Sequence, residues 1–169
     1  MGNHGKPRCD PKVTATSTQG ARERAPLQLE NFLPYRLSIL SNTVSQGIAS
    51  DYQQRFALSV TEWRVMAVLA RFDGLSARDV AERTAMDKVA VSRALARLVA
   101  AGRVDRAIHD DDKRRSVLRL SAGGWLIHDE IAPMARLRER ALLHKLTLHE
   151  RAWLKRILDK LQDGAPVRR

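Results

Sequence analysis

Three absences narrow the class of protein that this sequence can encode. Its one cysteine, Cys9, cannot form an internal disulfide, which is typical of proteins from reducing compartments. No apolar run approaches the roughly 20 residues that a membrane helix needs, and residues 1–20 lack the apolar segment of a secretory signal. We therefore expect a cytoplasmic protein that makes no contact with a membrane.

The sequence also lacks a recognisable catalytic or metal-binding pattern. It has no Gly-rich phosphate loop, and no serine or cysteine nucleophile lies near a plausible base. His144 and His149 are separated by a predicted helix break, whereas two histidines that share a metal on one helix face would lie four residues apart. We expect no enzymatic activity, no metal and no cofactor.

What the sequence does contain is a large excess of positive charge. Thirty Lys and Arg residues against 19 Asp and Glu residues give a formal net charge of +11. The excess is uneven, because residues 30–75 have equal numbers of acidic and basic side chains, whereas residues 76–121 have eleven basic and seven acidic ones. This distribution favours a polyanionic partner for the second segment.

The first part of the chain divides into a tail and two predicted helices. Residues 1–28 mix Gly, Pro, Ser, Thr and charged residues without periodicity, which is typical of a flexible basic tail. From Asn31, a candidate N-cap, apolar residues recur at helical spacing to about Phe56. A second helix is predicted to begin at the candidate cap Thr61.

Two short helices and a hairpin are predicted next. Ser76 and Asp87 are candidate caps of the two helices, and Gly102 has the position of a glycine that ends the second one. Residues 103–108 and 117–120 show the alternation of two β-strands. This order of elements is that of a winged helix-turn-helix.

The rest of the chain is predicted to form two further helices. The first is expected to bend at Pro133, whose ring removes one backbone hydrogen bond, and Thr147 is expected to cap the second. Their apolar stripes are larger than one small bundle can cover, which favours a second subunit over an intramolecular core. The stripe residues are Leu142, Leu143, Leu146, Trp153, Leu154, Ile157, Leu158 and Leu161.

The helix that follows Asp87 is expected to have a buried face and a cationic face. Val91, Leu95, Leu98 and Val99 form the stripe that we expect to be buried. An exposed cationic helix of this size fits the major groove of DNA, about 12 Å wide, with its first half at the base edges. A solvated charged face is the alternative. The predicted DNA contacts of this region are Ser76, Lys88, Val89, Ala90, Ser92, Arg93 and Arg97.

The predicted hairpin tip, DDDKRRSVLRLS at residues 110–121, places three carboxylates directly before three cations. A tip of this charge can enter an adjacent minor groove or lie along its phosphates. Asp112, two residues before Arg114, is expected to hold that guanidinium in a fixed pose. An ordinary polar turn is the alternative, and it better explains the two preceding aspartates. The predicted DNA contacts here are Asp112, Lys113, Arg114 and Arg115.

Residues 76–124 resemble the MarR (multiple antibiotic resistance regulator) family of bacterial transcription factors, and the resemblance extends over roughly residues 30–162. The family has a D-x-R wing that ends in Leu and Thr or Ser before a small turn. The matching positions here are Asp112, Arg114, Leu120, Ser121 and Gly124, and Ser92 with Arg93 matches the pair on the recognition helix.

The resemblance implies a mainly α fold with a small β-hairpin wing. A winged helix-turn-helix at about residues 61–121 would be combined with dimerisation helices at about 30–57 and 122–162, and residues 163–169 would form a C-terminal tail. It also implies a homodimer that binds a pseudo-palindromic double-stranded DNA operator as a ligand-responsive repressor.

In the resembled family, small-molecule effectors often bind between the dimer helices and the DNA-binding lobe. Aromatic walls beside a cation suit a phenolic acid or its coenzyme A thioester. Ordinary core packing is the alternative for Trp63 and Met66, and Cys9 lies too far upstream to match the family's thiol sensors. The candidate pocket residues are Phe32, Tyr35, Arg36, Trp63, Arg64 and Met66.

Two other functions fit parts of the sequence. A sequence-indifferent architectural DNA-binding protein would depend mainly on the cationic tail, and it would need neither an ordered wing nor a ligand cavity. An adaptor that keeps the winged fold without reading DNA would not need cations at the start of the fourth helix.

Overall fold

The computed structural model describes residues 1–2, 26–109 and 112–164, with side chains placed in these ranges except at 108–109 and 112–115. A short 3-10 helix, Leu29–Asn31, is followed by helices and a hairpin, and the expected mainly α fold with a β-hairpin wing is confirmed. Of the predicted tail, residues 3–25, which include Cys9, lie outside the described residues. The elements are α1 (Leu33–Phe56), α2 (Val60–Arg71), α3 (Ala77–Thr84), α4 (Lys88–Ala100), β1 (Val104–His109), β2 (Asp112–Leu120), α5 (Ala122–Leu143) and α6 (Leu148–Asp163).

Side-chain caps set the starts of three helices where the sequence predicted them. Ser76 precedes α3 and forms a reciprocal pair with Asp79, in which each side chain accepts a hydrogen bond from the other residue's amide. Thr147 and Glu150 repeat this arrangement before α6, and Asp87 caps α4. These three predictions are confirmed.

Two predicted helix starts were wrong. Phe32, not Asn31, precedes α1, because the Asn31 side chain donates a hydrogen bond within the preceding 3-10 turn. Ser59, not Thr61, caps α2. The reason is the spacing, since Glu62 lies three residues after Ser59 and its carboxylate accepts the Ser59 amide at 2.7 Å.

The described core lies where α2, α3, α4 and the hairpin meet, with α1 and α5 closing one side. Val99 was predicted to be buried with the stripe of α4, but it is 38% exposed. Ala94 is buried in its place, because the inner face of α4 follows residues 91, 94, 95 and 98. The largest fully buried side chains are Tyr52, Leu58, Met66, Leu69, Leu98, Leu118 and Ile131.

The hairpin is longer than predicted. β2 begins at Asp112 instead of residue 117 and pairs antiparallel with β1, in register from Val104–Leu120 to Ile108–Ser116. The register then shifts, so that His109 pairs with Asp112. At its other edge, β2 forms an isolated bridge through the Leu118 amide, which donates to the Leu75 carbonyl at 2.8 Å.

The turn between α4 and β1 packs against the start of α5. Gly102 has a φ of +65° and ends α4 as predicted, with hydrogen bonds from its own amide and the Arg103 amide to the last turn. The Arg103 carbonyl accepts the Ser121 amide at 3.1 Å. Gly124 approaches the same carbonyl so closely that an added Cβ would lie 2.1 Å from the oxygen.

Helix α1 is attached to the rest of the chain through arginines. The Arg103 guanidinium donates a hydrogen bond to the Phe56 carbonyl at 2.6 Å. Phe56 is the last residue of α1, and the carbonyls of a last helical turn have no partner within the helix. Arg138 of α5 donates two hydrogen bonds to Asp51, which hold the pKa of that carboxyl below its usual value. Arg55 also forms an ion pair with Glu130. α1 and α5 therefore form one helical layer, and α5 continues as one helix through Pro133.

Gly124→Ala is expected to destabilise the fold by about 3 kcal/mol, because backbone must shift to admit the methyl group. Chemical denaturation at a fixed protein concentration measures the effect. Gly123→Ala is the matched control, since its Cβ would meet its nearest atom at an ordinary 3.5 Å. Equal stabilities of the two variants would contradict the close contact.

Candidate nucleic-acid interface

The first turn of α4 is held by its cap and points its outer side chains at solvent. Asp87 accepts hydrogen bonds from the amides of Val89 at 2.9 Å and Ala90 at 3.1 Å. Lys88, Ser92 and Arg93 are exposed, and Val89 is 55% exposed although it is apolar. This surface offers donors and an apolar group together, as base edges and thymine methyls require.

The cations on α4 differ in what they contact. Lys88 and Arg93 form no ion pair with any part of the chain that the structure describes, so their charges remain available to a ligand. Arg97 instead lies 3.8 Å from the nearly buried carboxylate of Glu62. Of the three, Arg97 is the one already held by the protein, although its side chain is 70% exposed.

Ser76 uses its hydroxyl within the fold. The Oγ donates to the Asp79 carboxylate at 2.6 Å and accepts the Asp79 amide at 3.2 Å. To donate a hydrogen bond to DNA, this hydroxyl would therefore have to give up the one that it donates to Asp79.

Asp112, Lys113, Arg114 and Arg115 have side chains outside the described set, and the pairing register of the hairpin shifts in this stretch. Nearer the core, Arg119 forms an ion pair with Asp73 at 3.2 Å. The predicted pairing of Asp112 with Arg114 stays a prediction.

A groove of about 210 Å³ separates α4 from the inner face of the hairpin. Its walls include Ser92 and Val99 from α4 and Arg106 and Ser116 from the strands. Arg106 and Ser116 were not among the contacts predicted from the sequence. The signal that could have identified them is the strand alternation, because Arg106 falls on the same face as the buried Val104.

The six predicted effector residues differ in how far they are buried. Phe32, Tyr35 and Arg36 are exposed on the first turn of α1. Arg64 of α2 donates to the hydroxyl of Ser45 in α1 at 2.7 Å. Met66 is completely buried in the core, so its side chain offers no surface to a ligand here.

Trp63 belongs to an aromatic cluster that the sequence analysis missed. Its ring lies 5.8 Å from His128 of α5 in a stacked arrangement and 5.9 Å from Tyr52 of α1, and Trp125 meets His128 edge-on. Tyr52 is buried, and its hydroxyl has no described hydrogen-bond partner. Burial raises the pKa of this phenol to about 12, so it remains a neutral donor.

The described residues offer neither a metal-binding group nor a membrane-spanning helix. No three His, Cys, Asp or Glu side chains in the described ranges are grouped so that they could hold a metal ion. Within the same ranges, no helix has the length and apolar character of a membrane span.

Comparison with known proteins identifies the helix-and-hairpin segment. Residues 58–115 match the sequence model of the MarR family. No curated protein sequence gave a significant match.

Solved structures agree with this over most of the chain. A MarR-family regulator from Silicibacter pomeroyi is 26% identical, with a TM-score of 0.72 over 87% of this chain and 99% of its own. A MarR/EmrR-family regulator from Acinetobacter sp. ADP1 is 27% identical, with a TM-score of 0.71 over 77% and 92%. BpsR from Bordetella bronchiseptica is 20% identical and shares the fold, with a TM-score of 0.72 over 83% and 100%.

The capped recognition helix, the turn before it and the hairpin after it define a winged helix-turn-helix protein. Residues 58–115 are similar to the MarR family of transcriptional regulators, and the fold over most of the chain is the one found in solved regulators of that family.

Asp87→Ala is expected to lower stability by about 1 kcal/mol, because two amides at the start of α4 lose their acceptor. Asp87→Asn is the control, since the amide oxygen can still cap the helix while the negative charge is removed. Thermal unfolding of both variants measures the difference. If Asp87→Asn lost as much stability as Asp87→Ala, charge rather than capping would explain the effect.

Proposed function

We propose that this chain is a homodimeric, ligand-responsive repressor that binds a pseudo-palindromic operator. The observation that carries the proposal is the exposed first half of α4, where Lys88 and Arg93 have no described ion pair. The proposed contacts are those predicted from the sequence, with α4 in the major groove and Arg114 of the wing in the adjacent minor groove.

The apolar surface of the terminal helices supports the homodimer. α6 has no buried residue, and its apolar side chains from Trp153 to Leu161 are 39–48% exposed. The first turns of α1 expose further large apolar groups, including Phe32 and Leu33. A monomer would leave these patches in water, whereas a symmetric partner would bury the same surface on both subunits. The proposed dimerisation helices are α1, α5 and α6.

An aromatic carboxylate is the proposed effector, and we place it between α1 and α2 near Trp63 and Arg64. Arg64 offers a guanidinium, and the buried Tyr52 hydroxyl lacks a partner in the described chain. In BpsR, which shares the fold, DNA binding is regulated by 6-hydroxynicotinic acid, an aromatic carboxylic acid. The exposed residues Tyr35 and Arg36 would close the site only if a second subunit brings them to it.

Selection of duplexes from a random pool, followed by anisotropy measurements, tests the DNA-binding proposal. Arg93→Ala and Arg114→Ala are each expected to weaken operator binding by about 1–3 kcal/mol if they read bases. Lys145→Ala is the control, because it removes an equal charge from the turn between α5 and α6. Equal affinity for selected and scrambled duplexes at physiological salt would instead support the architectural DNA-binding protein.

A thermal-shift screen with phenolic acids and their coenzyme A thioesters tests the effector site. We expect a binding acid to raise the melting temperature, because a ligand that binds only the folded state stabilises it. Arg64→Ala should abolish this shift by removing the partner of the carboxylate. Arg140→Ala is the control and should preserve the shift, because it removes an equal charge from the last turn of α5. A shift that survives in Arg64→Ala would place the effector elsewhere.

A further inference from the structure

The groove between α4 and the hairpin has features that core packing does not explain. Its floor is apolar, formed in part by Leu95 and Leu118, which are almost fully buried. Its lining also includes two polar residues, Ser92 on α4 and Ser116 on β2, around a space of about 210 Å³.

The notable residue of this groove is Arg106. In β1 it follows Val104 by two positions, and across the hairpin it pairs with Leu118, so the three side chains lie on one face. Val104 and Leu118 are each 2% exposed, whereas Arg106 is exposed at the edge of that face. An inward-facing strand position next to the core usually carries an apolar residue.

Arg106 also has no partner in the protein as far as the described residues show. No ion pair or hydrogen bond of its guanidinium is found, although four of the other arginines of residues 76–121 do form one. Asp105, its nearest carboxylate in sequence, projects from the opposite face of the strand. Arg106 therefore lines the groove together with two serines, and its charge is unpaired among the described residues.

This groove lies between the two surfaces that the proposed function brings to DNA. When a helix occupies a major groove and a wing occupies the adjacent minor groove, the sugar-phosphate backbone between those grooves must cross the surface joining helix and wing. Phosphate contacts of this kind position a protein on the duplex without reading its sequence.

We propose that Arg106, with Ser92 and Ser116, binds the phosphodiester backbone that separates the two grooves. Arg106 supplies a forked, charged donor, and the hydroxyls supply neutral donors to the remaining phosphate oxygens. The inference rests on the proposed DNA-binding function and adds a contact that sets the register of the helix and the wing together.

The salt dependence of DNA binding tests this site. Loss of one phosphate contact reduces the slope of log affinity against log salt by about 0.9. We expect Arg106→Ala to show this reduction and to bind about tenfold more weakly, to the same degree on selected and scrambled duplexes. Arg106→Lys should keep most of the slope, because the charge remains while the fork is lost.

Arg119→Ala is the matched control, since Arg119 lies on the same hairpin but on its outer face, beside Asp73. Its slope should stay close to that of the wild type, and thermal unfolding verifies that each variant is folded. An unchanged slope for Arg106→Ala, with wild-type binding intact, would overturn this inference alone. Failure of the wild-type protein to bind any duplex would overturn the proposed function and the phosphate site together.

Discussion

The position of α4 relative to the hairpin and α5 depends on the carbonyl group of Arg103. This carbonyl lies between the end of α4 and the start of β1. It accepts a hydrogen bond from the amide of Ser121, the residue before α5. The Ser121 hydroxyl completes the junction by donating to the neighbouring Gly102 carbonyl at 2.6 Å and accepting the Gly124 amide. Because one backbone hydrogen bond and two hydrogen bonds of the Ser121 hydroxyl join these turns, the two ends of the hairpin are held close to the helices on either side.

The same residue extends this junction to α1. The Arg103 side chain crosses to the Phe56 carbonyl while its main chain holds the start of α5. One residue thus joins α1, the end of the recognition helix and α5. In the proposed homodimer, whose interface includes α1 and α5, the spacing of the two α4 helices would depend on how Arg103 holds α4 against these helices.

Elements that depend on neighbouring residues could be predicted from the sequence. Ser76, Asp87 and Thr147 were identified as caps because a cap and its partner lie within three residues of each other. The wrong start of α2 has the same origin, since Thr61 and Ser59 are both acceptable caps and only the position of Glu62 distinguishes them.

The site could be predicted only in outline. The helix and the wing follow from periodicity and from the family resemblance, but the partners of individual cations do not. Arg97 lies near Glu62 because α2 and α4 cross there, a contact between residues far apart in the sequence. Arg106 was overlooked for a similar reason, because its role depends on which face of the hairpin turns toward α4. Such facts follow from tertiary packing, which local propensity does not encode.

The bridge from Leu118 to Leu75 has a consequence for how the protein can accommodate different duplexes. Near Leu118, β2 is bonded to β1 on one edge and to Leu75 on the other. A rotation of β2 at this point would break its hydrogen bond to the loop before α3. Under the proposed function, a hairpin held in this way would leave the change of shape to the duplex. Sequences whose base steps bend or narrow easily would then be favoured at positions that no side chain touches.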